Sequence, residues 1–291
     1  MQTFKTNAEA GTMGSAILSG VLDSCAKSIA TGKGAKITCF ITTVNSQRSA
    51  NALRQRFLQH SSLLKVTTGD NVQAMAEADI IIWAFKPYMV DEVLRVKGVR
   101  EAIAGKLVIS VLVGSPIAKL EDAAFHHSSR PSKKILFIKR AMPNVGAEYG
   151  QSMTVIEATK MEPYHEEISD WIFLQVGKIS SVAPELFDIA GVLAGASSAL
   201  MSVAFDGILD GAVSQGLKRA DATKILTQSL VSLAACLENG EHPAILREKI
   251  SSPKGTTIAG LLSLEEDRAR FAYTKATIAS TKRSQEITLQ K

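Results

Sequence analysis

The sequence predicts an α/β fold class: a doubly wound (Rossmann-like) parallel sheet followed by an all-helical C-terminal domain. From Lys36 to about Ala183, short β-branched runs alternate with helical patterns. These runs are apolar almost without a break, as strands covered on both faces are. After Pro184 no convincing strand occurs, and several long helical stretches follow. Alternation of the first kind argues for parallel strands joined by helical crossovers.

Along the chain, Met1–Ala8 is polar and lacks alternation, so the first strand is expected to be degenerate. Gly11–Gly14, followed by Ser15–Leu22, predicts a glycine turn that opens a helix. Strands are predicted over Lys36–Thr43, Leu64–Thr68, Asp79–Phe85, Lys106–Leu112 and Lys134–Ile138, each bounded by Gly, Pro or polar clusters. Ser46–His60 and Pro87–Val96 are predicted helices. Ser152–Ile156 and Lys178–Val182 flank a helix around Pro163–Val176 and extend the sheet by a final unit. In the second half, Leu186–Gln215 is apolar nearly all round, which a helix tolerates when protein surrounds it. Gly216 is placed to stop it, Asp221 to cap a helix over Ala222–Asn239, and Gly240 to end that one. So apolar a helix predicts burial against a second copy, hence a homodimer or larger assembly. An intrachain core is the alternative.

Composition narrows the function classes. With 46% hydrophobic and 21% charged residues over 291 positions, a packed core is available and global disorder is excluded. The net charge of +5 is spread along the chain, and nothing in it requires nucleic acid. A pI near 9.0 suits an anionic ligand. Cys25, Cys39 and Cys236 show no CxxC spacing and read as thiols of a reducing, cytoplasmic compartment. His60, His126, His127, His165 and His242 form no ligand motif, so no metal is expected. Met1–Ala10 carries no apolar run, and the first arginine is Arg48, so neither a secretory leader nor a transit peptide is expected. Ile189–Phe205 is short for a membrane span and is read as a buried helix.

Gly11-Thr12-Met13-Gly14 matches the second half of a GxGxxG turn, in which glycines admit a pyrophosphate to a helix N-terminus. Glu9 stands where the first glycine is expected, and an ordinary helix with a glycine turn before it remains the alternative. The second strand ends at Thr42-Thr43, followed by Asn45, Ser46 and Arg48, with no acid nearby. An acid there would hold the ribose hydroxyl of NAD; hydroxyls with Arg48 favour NADPH, with NADH possible. A solvated helix-start charge is the other reading of Arg48. Ala84, Lys86 and Pro87 follow the next strand, at the carboxyl edge where such sheets bind ligands.

These pieces in this order resemble the pyrroline-5-carboxylate reductase family, especially its fungal-type members. The matching stretches are Gly11–Leu22, Asp79–Pro87, Lys106–Leu120, Arg140–Thr154, Asp188–Gly216 and above all His242–Glu266, which carries a counterpart of the family's SPGGTT. The segment Ser252-Pro253-Lys254-Gly255-Thr256-Thr257 is also a loop of small residues entering a helix at about Ile258, where backbone N–H groups and two hydroxyls converge on an anion-sized spot. The resemblance implies that Ser252, Gly255, Thr256 and Thr257 hold the carboxylate of a cyclic imino acid. It also implies that Thr257 bonds the imine nitrogen as the catalytic residue while NADPH reduces the neighbouring carbon. Arg140–Asn144 resembles the family's R-x-MPN segment, which implies that Asn144 faces the nicotinamide. The implied domains are 1–183 for the dinucleotide and 184–291 for substrate and dimerisation, with no nucleic acid or membrane partner.

Three departures from the family pattern are Glu9, Lys254 in place of a glycine, and Ala194–Ala199 in place of SGSGPA. They leave a cofactor-impaired, dimerising or regulatory paralogue as the non-enzyme alternative, and another cyclic imine as a lesser one. A β-hydroxyacid dehydrogenase would need a general base, usually a lysine on the long helix. Leu186–Gln215 contains none, which favours imine reduction.

Overall fold

A computed structural model describes residues 3–7, 12–125 and 136–289, with side chains from residue 13 onward. In chain order the first part comprises β1 (Thr3–Asn7), α1 (Thr12–Ala30), β2 (Cys39–Val44), α2 (Gln47–Arg56), β3 (Leu64–Thr68), α3 (Asn71–Glu77) and β4 (Ile80–Trp83). Then come α4 (Val90–Leu94), α5 (Val99–Ile103), β5 (Leu107–Ser110), α6 (Ile117–Ala124), β6 (Phe137–Met142), β7 (Ser152–Glu157), α7 (Pro163–Leu174) and β8 (Gly177–Val182). The remainder is helical: α8 (Phe187–Gly195), α9 (Ser197–Ser214), α10 (Arg219–Glu238), α11 (Pro243–Lys249), α12 (Thr256–Glu266) and α13 (Ala269–Leu289).

One eight-stranded sheet runs in the order β3-β2-β1-β4-β5-β6-β7-β8, the doubly wound order with its reversal at β1. The continuous apolar runs serve two cores. Ile80 and Ile82 of β4, with Leu107 and Ile109 of β5, join the cluster under α1 and α7. Ile81, Trp83 and Val108 point the other way, into the cluster with α4, α5 and α6. Alternation is therefore hidden in the sequence, because both faces are dry.

Three sequence expectations are corrected. Residues 3–7 form a strand, and a central one, with Thr3 opposite Cys39 and Phe4 opposite Ile80. Main-chain ladders on both sides, together with β-favouring Thr and Phe, set it in place despite its polar composition. Second, β7 is antiparallel to β6. The connection from Pro143 to Gln151 is a short 3₁₀ turn ending at left-handed Gly150, too short for a parallel crossover. Third, α10 begins at Arg219, with Lys218 as its cap residue, so Asp221 lies in its first turn and does not cap it.

The chain divides into two compact units, Met1–Gly195 with Thr281–Lys291, and Ala196–Ser280. The first unit thus takes in α8, expected to open the helical half. Phe187 and Ala194 of α8 pack on Val155 of β7, and any side chain at Gly191 would collide with Met142. In the second unit α9 is apolar but little covered: Met201, Val203 and Ile208 are exposed. The alternative of an intrachain core therefore does not hold for α9, while burial against a second copy stays the expectation.

Candidate active site

Within the first unit, the carboxyl ends of the parallel strands open into a cleft of about 630 Å³. Each wall comes from one strand end or from the helix that follows. Met13 and Ala16 come from the start of α1, whose first turn carries no acidic residue. The first N–H groups of that helix lack intrahelical acceptors and favour an anion. Asn45, Ser46 and Ser49 follow β2; Ser46 caps α2 by accepting from the Ser49 amide at 3.1 Å. Ala84, Phe85, Lys86 and Pro87 follow β4, Val111 and Val113 follow β5, and Asn144 and Val145 follow β6.

Of the residues expected at the cofactor, Met13, Asn45, Ala84, Lys86, Pro87 and Asn144 therefore line one cleft. Gly14 is buried inside the first turn of α1, beside them. Thr12 opens the same helix, and Gly11, with Glu9, lies outside the described residues. Thr42 and Thr43 are not part of the wall. Both are 1% exposed, and the Thr43 hydroxyl donates to Asn71 Oδ1 at 2.6 Å, fastening β2 to α3. The hydroxyls on the cleft are instead those of Ser46 and Ser49. Arg48, next to Ser46, is exposed on the first turn of α2 and makes no ion pair among the described residues. Asn144 has both ends of its amide engaged: Nδ2 donates to the Ala194 carbonyl at 3.0 Å, and Oδ1 accepts from the Gly146 amide at 3.0 Å. It holds the β6 turn against α8.

Arg140 lies away from the cleft. Its Nη1 donates to Glu157 Oε2 at 2.5 Å, both side chains are buried, and the guanidinium lies 4.3 Å from the Phe187 ring centroid. Ser49, Phe85, Val111 and Val113 also line the cleft, and residue type alone does not single them out. The strand-end rule that singled out Lys86 and Pro87 also selects the residues after β5.

In the second unit, Ser252–Gly255 form a turn closed by the Gly255 amide donating to the Ser252 carbonyl at 3.0 Å. Lys254 occupies the left-handed region at φ 58°, where the family pattern has glycine, so lysine adopts the conformation at a cost of about 1 kcal/mol. Gly255 is the cap residue of α12, and a Cβ there would strike the Ser252 hydroxyl. Thr256 and Thr257 form the first turn of α12, which carries no acid and no side-chain cap. The helix thus starts two residues earlier than expected, and its free amides and two hydroxyls stand together. Among the described residues, no group of three His, Cys, Asp or Glu side chains gathers as metal ligands.

A doubly wound sheet with an anion-favouring helix start, and with no acid in the wall after its second strand, belongs to the class of dinucleotide-binding folds. Comparison with known proteins narrows the class. Residues 10–114 match the family model "NADP oxidoreductase coenzyme F420-dependent", and residues 184–287 match "Pyrroline-5-carboxylate reductase dimerisation". Pyrroline-5-carboxylate reductase of Neurospora crassa is 36% identical over 296 aligned positions, covering 93% of this chain and 89% of its own. That of Lophium arboricola is 34% identical over 285, with the same coverage. The chain belongs to the pyrroline-5-carboxylate reductase family. The fold matches the solved pyrroline carboxylate reductase of Plasmodium falciparum with NADP bound, at a TM-score of 0.78, 22% identity and coverage of 99% and 98%.

Proposed function

We propose that this chain reduces 1-pyrroline-5-carboxylate to proline with NADPH, the last step of proline synthesis. The observation that carries the reading is the cleft at the carboxyl ends of the sheet, whose wall after β2 is Asn45, Ser46 and Ser49, with no acid, and with Arg48 exposed on the same helix turn. When bound, NADPH supplies a hydride. Gly14 and the first amides of α1 would receive its pyrophosphate, Arg48 with Ser46 and Ser49 its 2′-phosphate, and Val111, Val113 and Pro87 its apolar flank. Asn144 acts as a positioning residue.

Ser252, Gly255, Thr256 and Thr257 would hold the substrate carboxylate at the α12 N-terminus, and the Thr257 hydroxyl would hydrogen-bond the ring nitrogen. The C=N carbon gains the hydride, the C=N π pair moves onto nitrogen, and nitrogen ends protonated. A protonated imine is already electrophilic, so the protein contributes position more than acid–base power.

In this reading residues 1–183 bind the dinucleotide and 184–291 carry substrate binding and self-association. The compartment is the cytoplasm, in keeping with three free thiols, and neither nucleic acid nor membrane takes part. Fluorescence titration with NADPH and turnover of pyrroline-5-carboxylate test it. Saturable binding is expected, and Thr257→Ala should lower kcat/KM by about ten- to hundredfold, the worth of one charge-assisted hydrogen bond. Failure to bind NADPH would overturn the enzyme reading; unchanged kinetics in Thr257→Ala would remove that hydroxyl from the mechanism.

A further inference from the structure

Lys139, in the middle of β6, is only 4% exposed. Among the described residues it donates no hydrogen bond and makes no ion pair. A lysine stem buries readily while its ammonium keeps to water, and the hollow that Lys139 lines is where that ammonium is met. Its side chain enters the wall of a second cavity, of about 320 Å³, with Thr159, Lys160, Glu166, Asp170 and Ser181. This cavity shares no residue with the cofactor cleft. Ile156 of β7 lies opposite Ala141, so the residues after β7 run back beside the start of β6, away from Asn144.

Polar groups stand at the base and at the rim of the cavity, beside Ile156 and Ala158. At its base stand Lys139 and the Thr159 hydroxyl, which is buried without a partner. Lys160, Glu166 and Ser181 form an exposed rim, and Asp170 is half-buried between. Burial holds the Asp170 carboxyl above its ordinary value, against the pull of Lys139. Two ammonium groups and two carboxyl groups thus share one hollow without contact pairs among them. A simple anion would meet Glu166 and Asp170, and a simple cation would meet Lys139 and Lys160. A compact molecule bearing both charges satisfies each in turn.

We propose that this cavity is a second ligand site that takes a small zwitterionic amino acid, its carboxylate on Lys139 and Thr159 and its ammonium on Asp170 and Glu166. The site stands whether or not the proposed reaction does. The test is isothermal titration of the full chain, without NADPH, with glycine, L-serine and L-glutamate, using acetate and methylammonium as single-charge controls. At least one amino acid should bind saturably. Lys139→Met and Asp170→Asn should each weaken it by about tenfold or more, while Lys139→Arg and Thr257→Ala retain it. Circular dichroism checks that each variant is folded; should Lys139→Met fail to fold, Asp170→Asn and Lys139→Arg carry the comparison. No saturable heat up to tens of millimolar, acetate binding as well as the amino acids, or binding that depends on Thr257 and not on Asp170 would overturn the proposal.

Discussion

Glu157→Leu removes the carboxylate from a guanidinium sealed beneath α8. Arg140 and Glu157 are joined across β6 and β7, with side chains 7% and 6% exposed. Nε and Nη2 of Arg140 have no partner, so among the described residues Glu157 is the one anion bonded to it. Two charges about 4 Å apart attract by about 4 kcal/mol at an effective dielectric constant of 20. Losing one partner of a buried pair costs about 3–5 kcal/mol, and the Phe187 face at 4.3 Å retains about 1–2 of that. The expected loss is therefore about 3 kcal/mol. In Arg140→Met/Glu157→Leu no charge is stranded, and stability should return to within about 1 kcal/mol of the parent. Urea unfolding at fixed protomer concentration, followed by fluorescence of Trp83 and Trp171, reads this, because both tryptophans lie in the unit that holds the sheet. A single variant that loses less than about 1 kcal/mol, or a double variant as weak as the single, would refute the account of a stranded charge.

Arg48→Ala should raise the KM for NADPH about tenfold and leave that for NADH unchanged, with the gap narrowing at high salt; an equal rise for both cofactors would detach Arg48 from the 2′-phosphate. Ile287→Ala loosens the wall after β5, because Ile287 of α13 seats against left-handed Gly114, next to Val113 of the cleft. It should raise the NADPH KM severalfold with kcat little changed, and parallel losses in both would point to unfolding. His165 has its pKa held below 6.5 by burial, and its Nδ1 has no partner beside Phe137. The unfolded chain therefore takes up a proton first as pH falls below 6.5, so stability drops from that point down to the folded pKa. Melting curves between pH 7.5 and 5.5 should show that drop, and His165→Gln should remove part of it; an unaltered profile would exclude the imidazole.

How much was legible in the sequence follows from what fixes each element. β3 matches its predicted bounds, since Leu64–Thr68 is a β-branched run between turn signals. β4 and β5 stand out because both faces need apolar side chains. β1 was missed because its central place comes from main-chain ladders on both sides, which leave no mark in composition. β6 was expected at Lys134–Ile138 and runs to Met142, since Lys139 and Arg140 look like strand ends until Glu157 and the second cavity are present to receive them. At the cleft, Lys86 and Pro87 were legible from position alone. Thr42 and Thr43 were not, because residue type says nothing of which neighbour a β2 hydroxyl meets. Burial sends the pair inward and leaves Ser46 and Ser49 outside.

The helical half poses the opposite problem, a surface more apolar than a lone chain needs. Pro184–Ser214 is long and apolar enough to cross a membrane; an 18-residue window within it has a mean hydropathy of 1.6, and only 11% of that window is buried. Length and composition do not separate a span from an assembly surface; local packing does. The run breaks at Ala196, between α8 and α9. α8 is spent on the sheet through Phe187 and Ala194. α9 carries Asp206 and Asp210, both paired with Arg219 at the start of α10, and such carboxylates are expensive inside a bilayer. What remains exposed includes Val203 and Ile208 on α9 and Ile225 and Val231 on α10, apolar side chains of the kind that association covers. It falls inside the segment matched to the dimerisation family, which supports homo-oligomerisation of the chain. The poor burial of the most apolar helix is that of a single chain, and the match to the dimerisation family supports the expectation of self-association.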